Sequence, residues 1–252
     1  TDTLEKRFGL IPSSKVTDRE IEEVSKIDTT KGNIKEQVSE TLRSVLKHYK
    51  FCSLGELNAI LTVYNLTVEE TKTEFRGKKY DGLVYVPTDD KGDKVSTPIH
   101  ASNIGRGVGY TAVQNKMQKS KQAIKPLIPA IRNKVLQTMR TSPKTEEELQ
   151  QRLEEQSLRV FIRKNESGRI YGITFIDDKE GVALNGSRLG KGYAANIFNG
   201  YFSNPTDNPF LDETLYGSPS VHLDQSATVH PSQLNTEESD NLVDELIESM
   251  AD

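Results

Sequence analysis

The chain has 252 residues, 28 % of them charged and 34 % hydrophobic, with 33 Lys and Arg against 37 Asp and Glu, one Cys and no Trp. No run of 18 apolar residues occurs and the first seven residues are polar and charged, which excludes a helical membrane span and a signal peptide and makes the cytoplasm the expected compartment. The formal net charge of -4 is unevenly spread: residues 203–252 hold eleven of the acids and no Lys or Arg, so the preceding part carries 33 bases against 26 acids, the pattern of a nucleic-acid-facing body with an acidic tail.

A polar leader, residues 1–33, opens the chain inside what reads as a helix, so it is expected to end, or to link from, a preceding domain. Ile34, Val38, Leu42, Val45, Leu46 and Tyr49 then fall three and four apart, the spacing of one helical face. Ser53-Leu54-Gly55-Glu56 has the form of a capping box, and Leu57, Ile60, Leu61 and Tyr64 continue an apolar stripe behind it. Three β-type runs follow, Thr67 to Phe75, Leu83 to Pro87 and Val95 to His100, separated by turn compositions. Ser102-Asn103-Ile104-Gly105-Arg106-Gly107 forms a glycine-rich corner before a polar helical stretch near Tyr110.

The same plan then recurs. Ile124, Ile128, Ile131, Val135 and Met139 mark a helix, with Pro126 and Pro129 tolerable around its first turn, and Thr145-Glu146-Glu147-Glu148 is a second capping box. At a constant offset of 92, Ser53 and Glu56 match Thr145 and Glu148, Leu57 and Leu61 match Leu149 and Leu153, and Leu66 and Val68 match Leu158 and Val160. Gly82-Leu83-Val84-Tyr85 lines up with Gly172-Ile173-Thr174-Phe175, and Ser102 to Arg106 with Ser187-Arg188-Leu189-Gly190-Lys191. The expected fold is therefore α+β, with two tandem modules, 34–122 and 123–202, each a helical pair, a three-stranded meander, a corner and a helix. Residues 203–252 are breaker-rich and acidic and are expected to form a disordered tail, ending in either a frayed solubilising stretch or a short acidic helix on Leu242, Val243, Leu246, Ile247 and Met250 that docks on a partner.

From Lys94 to Thr145 there are ten basic residues and no acid, a band suited to neutralising phosphates. The bland alternative is a solvated face balanced by carboxylates from elsewhere, such as Glu36, Glu40 or Glu146 to Glu148. The two corners add glycines beside a basic side chain at a helix start, where exposed N–H groups suit a phosphate; tight turns needing positive φ are the alternative. Neither corner has the spacing of a nucleotide-binding loop. The residues expected to contact phosphate are Arg106, Lys116, Lys119, Lys121, Arg188 and Lys191, assisted by the backbone around Gly105 and Gly190. No catalytic constellation, cofactor motif or metal-ligand spacing stands out: the four His are far apart, and Cys52 is expected to be a buried small hydrophobe. Tyr80, Tyr85 and Tyr171 alternate with apolar residues as strand aromatics do, which suits core packing or base stacking.

Several strings, among them Leu4-Glu5-Lys6-Arg7-Phe8-Gly9-Leu10, Ser53 to Leu61, Tyr64 to Glu70, Gly168 to Asp177 and Leu184 to Gly190, resemble the relaxase/mobilisation nucleases of Bacteroides-type conjugative and mobilisable elements, over about residues 4–202. Such proteins nick one DNA strand through a tyrosine, with a divalent metal held by a histidine cluster in a nuclease domain that precedes the segment seen here. The resemblance implies a DNA-handling part of a relaxosome, placed behind a nicking domain that this chain does not contain. It carries over no catalytic residue and no metal site. The expected partners are transfer-origin DNA and, through the tail, relaxosome accessory proteins or the coupling protein; the alternative role is a protein-interaction scaffold.

Overall fold

Val38, Thr41, Leu42 and Val45 recur three and four residues apart, and the helix they specify, α1 (Ile34–His48), buries that stripe and ends where Tyr49 turns extended. The computed structural model describes residues 25–75, 78–212 and 216, all within one compact unit; most of the leader, and the tail beyond residue 216 with its predicted helix, lie outside the described residues. α2 (Leu54–Thr62) starts at Ser53, whose hydroxyl accepts from the Glu56 N–H at 3.2 Å, while Glu56 Oε2 reaches back to accept from the Cys52 N–H at 2.6 Å. The box thus closes one residue further back than the usual pattern.

β1 (Leu66–Phe75), β2 (Lys78–Pro87) and β3 (Ile99–His100) form an antiparallel sheet in that order. The third strand was expected from Val95, but it shrinks to two residues because Pro98 has no N–H to give a ladder and Val95 is exposed. α3 (Ala101–Ile104), a 3-10 turn (Arg106–Val108) and α4 (Tyr110–Ala123) follow. After a second 3-10 turn (Lys125–Leu127), α5 (Ile128–Arg140) takes Pro129 in its first turn, as its sequence predicts. α6 (Glu146–Glu154) repeats the α2 start: Thr145 Oγ1 accepts from Glu148 N–H at 3.2 Å and Glu148 Oε2 from Lys144 N–H at 2.8 Å.

A second antiparallel sheet, β4 (Arg159–Lys164), β5 (Ile170–Asp177) and β6 (Val182–Asn185), leads into α7 (Gly186–Leu189), a 3-10 turn (Lys191–Tyr193), α8 (Ala195–Ser203) and a last 3-10 turn (Pro209–Leu211). The protein is a mixed α+β chain with, among the described residues, eight α-helices and two three-stranded antiparallel sheets.

Two apolar cores form, and each borrows from the other half of the sequence. The first gathers Leu42, Phe51, Leu57, Ile60 and Tyr85 but also takes Ile176 and Ala183; the second, around Leu149, Phe175, Leu184 and Phe198, takes Cys52. Burial raises the Cys52 thiol above its usual value, as expected of a cysteine packed as a small hydrophobe. Polar ties accompany the exchange. The Lys50 N–H donates to Gly181 O at 2.7 Å and Lys50 O accepts from Ala183 N–H at 3.0 Å, adding a parallel bridge at the edge of β6. The Tyr49 hydroxyl donates to Asp178 at 2.6 Å, and Arg159 grips the same carboxylate through two nitrogens at 2.7 and 2.5 Å.

The strongest tie is at Glu56, which has no solvent exposure. Besides Cys52 N–H, it accepts from Asn185 N–H at 2.9 Å and from Arg188 Nε at 2.5 Å. The second core also runs past the expected start of the tail. Phe210 is fully buried, with its ring 5.2 Å from Phe198 and 5.1 Å from Tyr216, so residues 204–212 and Tyr216 belong to the packed body rather than to a disordered tail. Asn208 fastens the stretch to α5, its Nδ2 donating to Met139 O at 2.8 Å.

Replacing Glu56 with Ala removes the buried acceptor of Cys52 N–H, Asn185 N–H and Arg188 Nε at once, and should cost about 3–5 kcal/mol in urea unfolding of the full chain. A loss below about 1 kcal/mol would show that the carboxylate is not what holds the two halves in register.

Candidate nucleic-acid interface

The basic band divides into paired and unpaired charge once it is folded. Lys94 meets Glu69 at 2.5 Å, and Lys134 meets the nearly buried Asp177 at 2.8 Å. Arg132 gives its Nε to Leu189 O at 2.6 Å, and Arg140 directs its Nε toward Phe210 O at 3.4 Å. Of the carboxylates nominated to balance the rest, Glu146 pairs with Lys164 at 2.8 Å and Glu148 with Arg152 at 3.5 Å. Among the described residues, no carboxylate forms an ion pair with Arg106, Lys116, Lys119, Lys121 or Lys191.

Helix α4 positions three of these lysines. It buries Val113, Met117 and Ser120, so Lys116 and Lys119 project on one flank of that stripe and Lys121 on the other. Lys116 is held below the usual lysine value, first by partial burial and then by repulsion from Lys50 and Lys119. Lys50 comes from the loop before α2 and its Nζ donates to Glu180 O at 2.7 Å. Lys121 and Arg188 both bear electrostatically on the Cys52 thiol, so the C-terminal end of α4 lies near Cys52. A lysine desolvated among other lysines lacks a counterion, and an anion bound there relieves both the burial cost and the repulsion.

The other predicted residues do not all converge. Arg106 is exposed at the 3-10 turn ahead of α4, beside Gly105, Gly107 and Gly109, around which a Cβ would meet open space. Lys191 lies instead in a cleft of about 700 Å³ with Arg132, Tyr193 and Tyr216. Arg188 is turned inward: Nε holds Glu56, and Nη2 donates to Cys52 O at 3.3 Å, so its charge is spent on the fold. Its sequence neighbours gave no sign of this, because its partner is 132 residues away. Lys50 was missed for the matching reason, since it sits outside the band in sequence and joins it only through packing.

The corners differ in what they ask of glycine. Gly190 has φ +137° and ψ 166°, a region that side chains rarely adopt, whereas Gly105 is extended at φ 163°. Only the second corner therefore requires glycine for its backbone.

The tyrosines sort by exposure. Tyr85 donates to Val108 O at 2.7 Å, Tyr201 to Pro143 O at 2.8 Å and Tyr216 to Gly192 O at 2.8 Å, and all three phenols are raised above their usual value, first by burial. Tyr80 and Tyr171 are exposed, Tyr171 at 60 %. Among the described residues no group of three or more His, Cys, Asp and Glu could hold a metal ion, and no helix is long and apolar enough to cross a membrane. Comparisons with protein-family models, with curated proteins and with solved structures find no match to this chain.

The contrast between corners is directly measurable. Gly190→Ala should destabilise the protein by about 1–3 kcal/mol through backbone strain, and Gly105→Ala by well under 1 kcal/mol, in parallel urea titrations. Equal costs at the two positions would remove the distinction.

Proposed function

We propose that this chain binds and positions transfer-origin DNA as a cytoplasmic part of a conjugative relaxosome, behind a strand-nicking domain supplied elsewhere. The observation that carries the DNA part is the set of lysines on α4: Lys116, half-buried beside Lys119 and Lys50, and Lys121 on the opposite flank have no carboxylate partner among the described residues. Unneutralised cations fixed by a rigid helix suit the regularly spaced charges of a phosphate backbone, independent of base sequence. The relaxosome part rests on the resemblance of the Ser53–Leu61, Gly168–Asp177 and Leu184–Gly190 strings to the mobilisation relaxases.

In this reading the body arose by duplication of one helix and meander module, supported by the constant offset of 92 between the two helix starts and by the same pair of hydrogen bonds at Ser53 and Thr145. The two copies have since diverged in use. The first corner keeps Arg106 toward solvent as a phosphate contact, while in the second Lys191 is free and Arg188 positions the corner through Glu56. The acidic tail is the part suited to relaxosome accessory proteins or the coupling protein.

Fluorescence anisotropy of the full chain with labelled DNA, across a salt series, tests the reading. Lys116→Gln, Lys119→Gln and Lys121→Gln together should weaken binding at least tenfold at low salt and flatten the slope of log affinity against log salt by roughly 0.9 for each phosphate that is no longer neutralised. Arg106→Ala with Lys191→Ala should act in the same direction. Affinity and slope unchanged in both variants would overturn the assignment.

A further inference from the structure

β4, β5 and the start of α8 enclose a cleft of about 490 Å³ to which no residue of the basic band contributes. Two arginines, Arg163 and Arg169, line it together with Asn185, Ser187 and Asn196, and no carboxylate does. Neither arginine is in an ion pair among the described residues. Arg163 is held rigidly. Gly172 leaves the space its guanidinium fills, since a Cβ there would lie 2.6 Å from Nε, and the Tyr171 ring centroid is 5.6 Å from Cζ. Its Nε is buried without a hydrogen-bond partner. A buried guanidinium N–H without an acceptor is costly, and an anion that reaches it from the cleft offsets that cost.

A second source of attraction lies on the opposite wall. α8 is nine residues long, and Ala194, Ala195 and Asn196 at its start line the cleft with no side-chain cap; Ile197 N–H donates to Ala194 O at 2.9 Å, which leaves the N–H groups of Ala195 and Asn196 without an intrahelical acceptor. Tyr171 is 60 % exposed, and on a strand bordering the cleft it offers a surface for an unstacked base. The volume is within the range of about 300–1,000 Å³ that small ligands occupy.

We infer that this cleft holds one nucleotide of a single DNA strand, its phosphate between Arg163, Arg169 and the start of α8 and its base against Tyr171. The inference rests on the reading of this chain as a DNA-binding protein, and adds that it grips an unpaired strand at a site separate from the lysines of α4. A duplex keeps its bases stacked inside the helix and cannot offer one to Tyr171.

Anisotropy of the full chain with an oligothymidine and with a duplex of the same length tests it. Tyr171→Ala should weaken single-strand binding by roughly fivefold or more, with Tyr171→Phe restoring it, and leave duplex binding within about twofold. Arg169→Gln should likewise weaken single-strand binding, at a position that anchors no buried contact of the fold. Arg163→Gln is the poorer variant because that side chain packs against Gly55 and Gly172. Loss on single strand alone in Tyr171→Ala, with the α4 lysine variant weakening both forms, supports the cleft and the lysine reading together. No loss in Tyr171→Ala, or an equal loss on both forms, overturns the cleft while leaving the lysines untouched; no binding of either DNA by the native chain overturns both.

Discussion

Glu56 is a carboxylate with no access to water, and it is satisfied from two ends of the sequence. One oxygen closes its own helix start through the Cys52 N–H; the other collects Asn185 N–H and the Arg188 guanidinium from the corner after β6. Removing a carboxylate and a guanidinium from water offsets much of their mutual attraction, so the pair stabilises the fold mainly through the penalty on any arrangement that buries one without the other. Everything between residues 57 and 184 must close a loop that ends at this contact.

Other features follow from that closure. With α2 seated on the second sheet, Lys50 is carried to the edge of β6 and extends it by a bridge, and Tyr49 reaches Asp178 beside Arg159. Cys52 is delivered into one core while Ile176 and Ala183 are delivered into the other. The two α+β halves are therefore not independent beads on a string: each completes the other's interior. The equivalent acid Glu148 makes the same local bonds at its helix start but faces Arg152 of its own helix, so the interlock is used once.

The interlock also sets out the charge. It draws Arg188 inward and leaves Lys116 of α4 beside Lys119 and Lys50. Positive charge is thereby concentrated on one helix rather than shared with the second corner. Lys191, joined to that corner by sequence, is separated from the α4 lysines and lines a different cleft with Arg132. The unpaired Arg163 and Arg169 are found on yet another face, beside an exposed aromatic ring.

Much of the secondary structure was legible in the residues themselves, because it depends on neighbours three and four positions apart. The apolar spacing from Ile34 to Tyr49 placed α1, and the Ser53–Glu56 and Thr145–Glu148 pairs placed the starts of α2 and α6 to the residue. Local chemistry was also misleading where it was read alone: Val95 to Pro98 looked like strand, and the Pro- and Asn-rich stretch around Phe210 looked like tail. What only the tertiary structure decided is which charge is free and which is spent. Arg188 and Lys191 look alike in sequence, yet one faces a buried acid 132 residues away and the other faces solvent. Likewise the space over Gly172 that Arg163 fills is a property of packed strands. Periodicity records a helix face because the chain makes that face by itself; an ion pair across the molecule leaves no trace in either residue's neighbours.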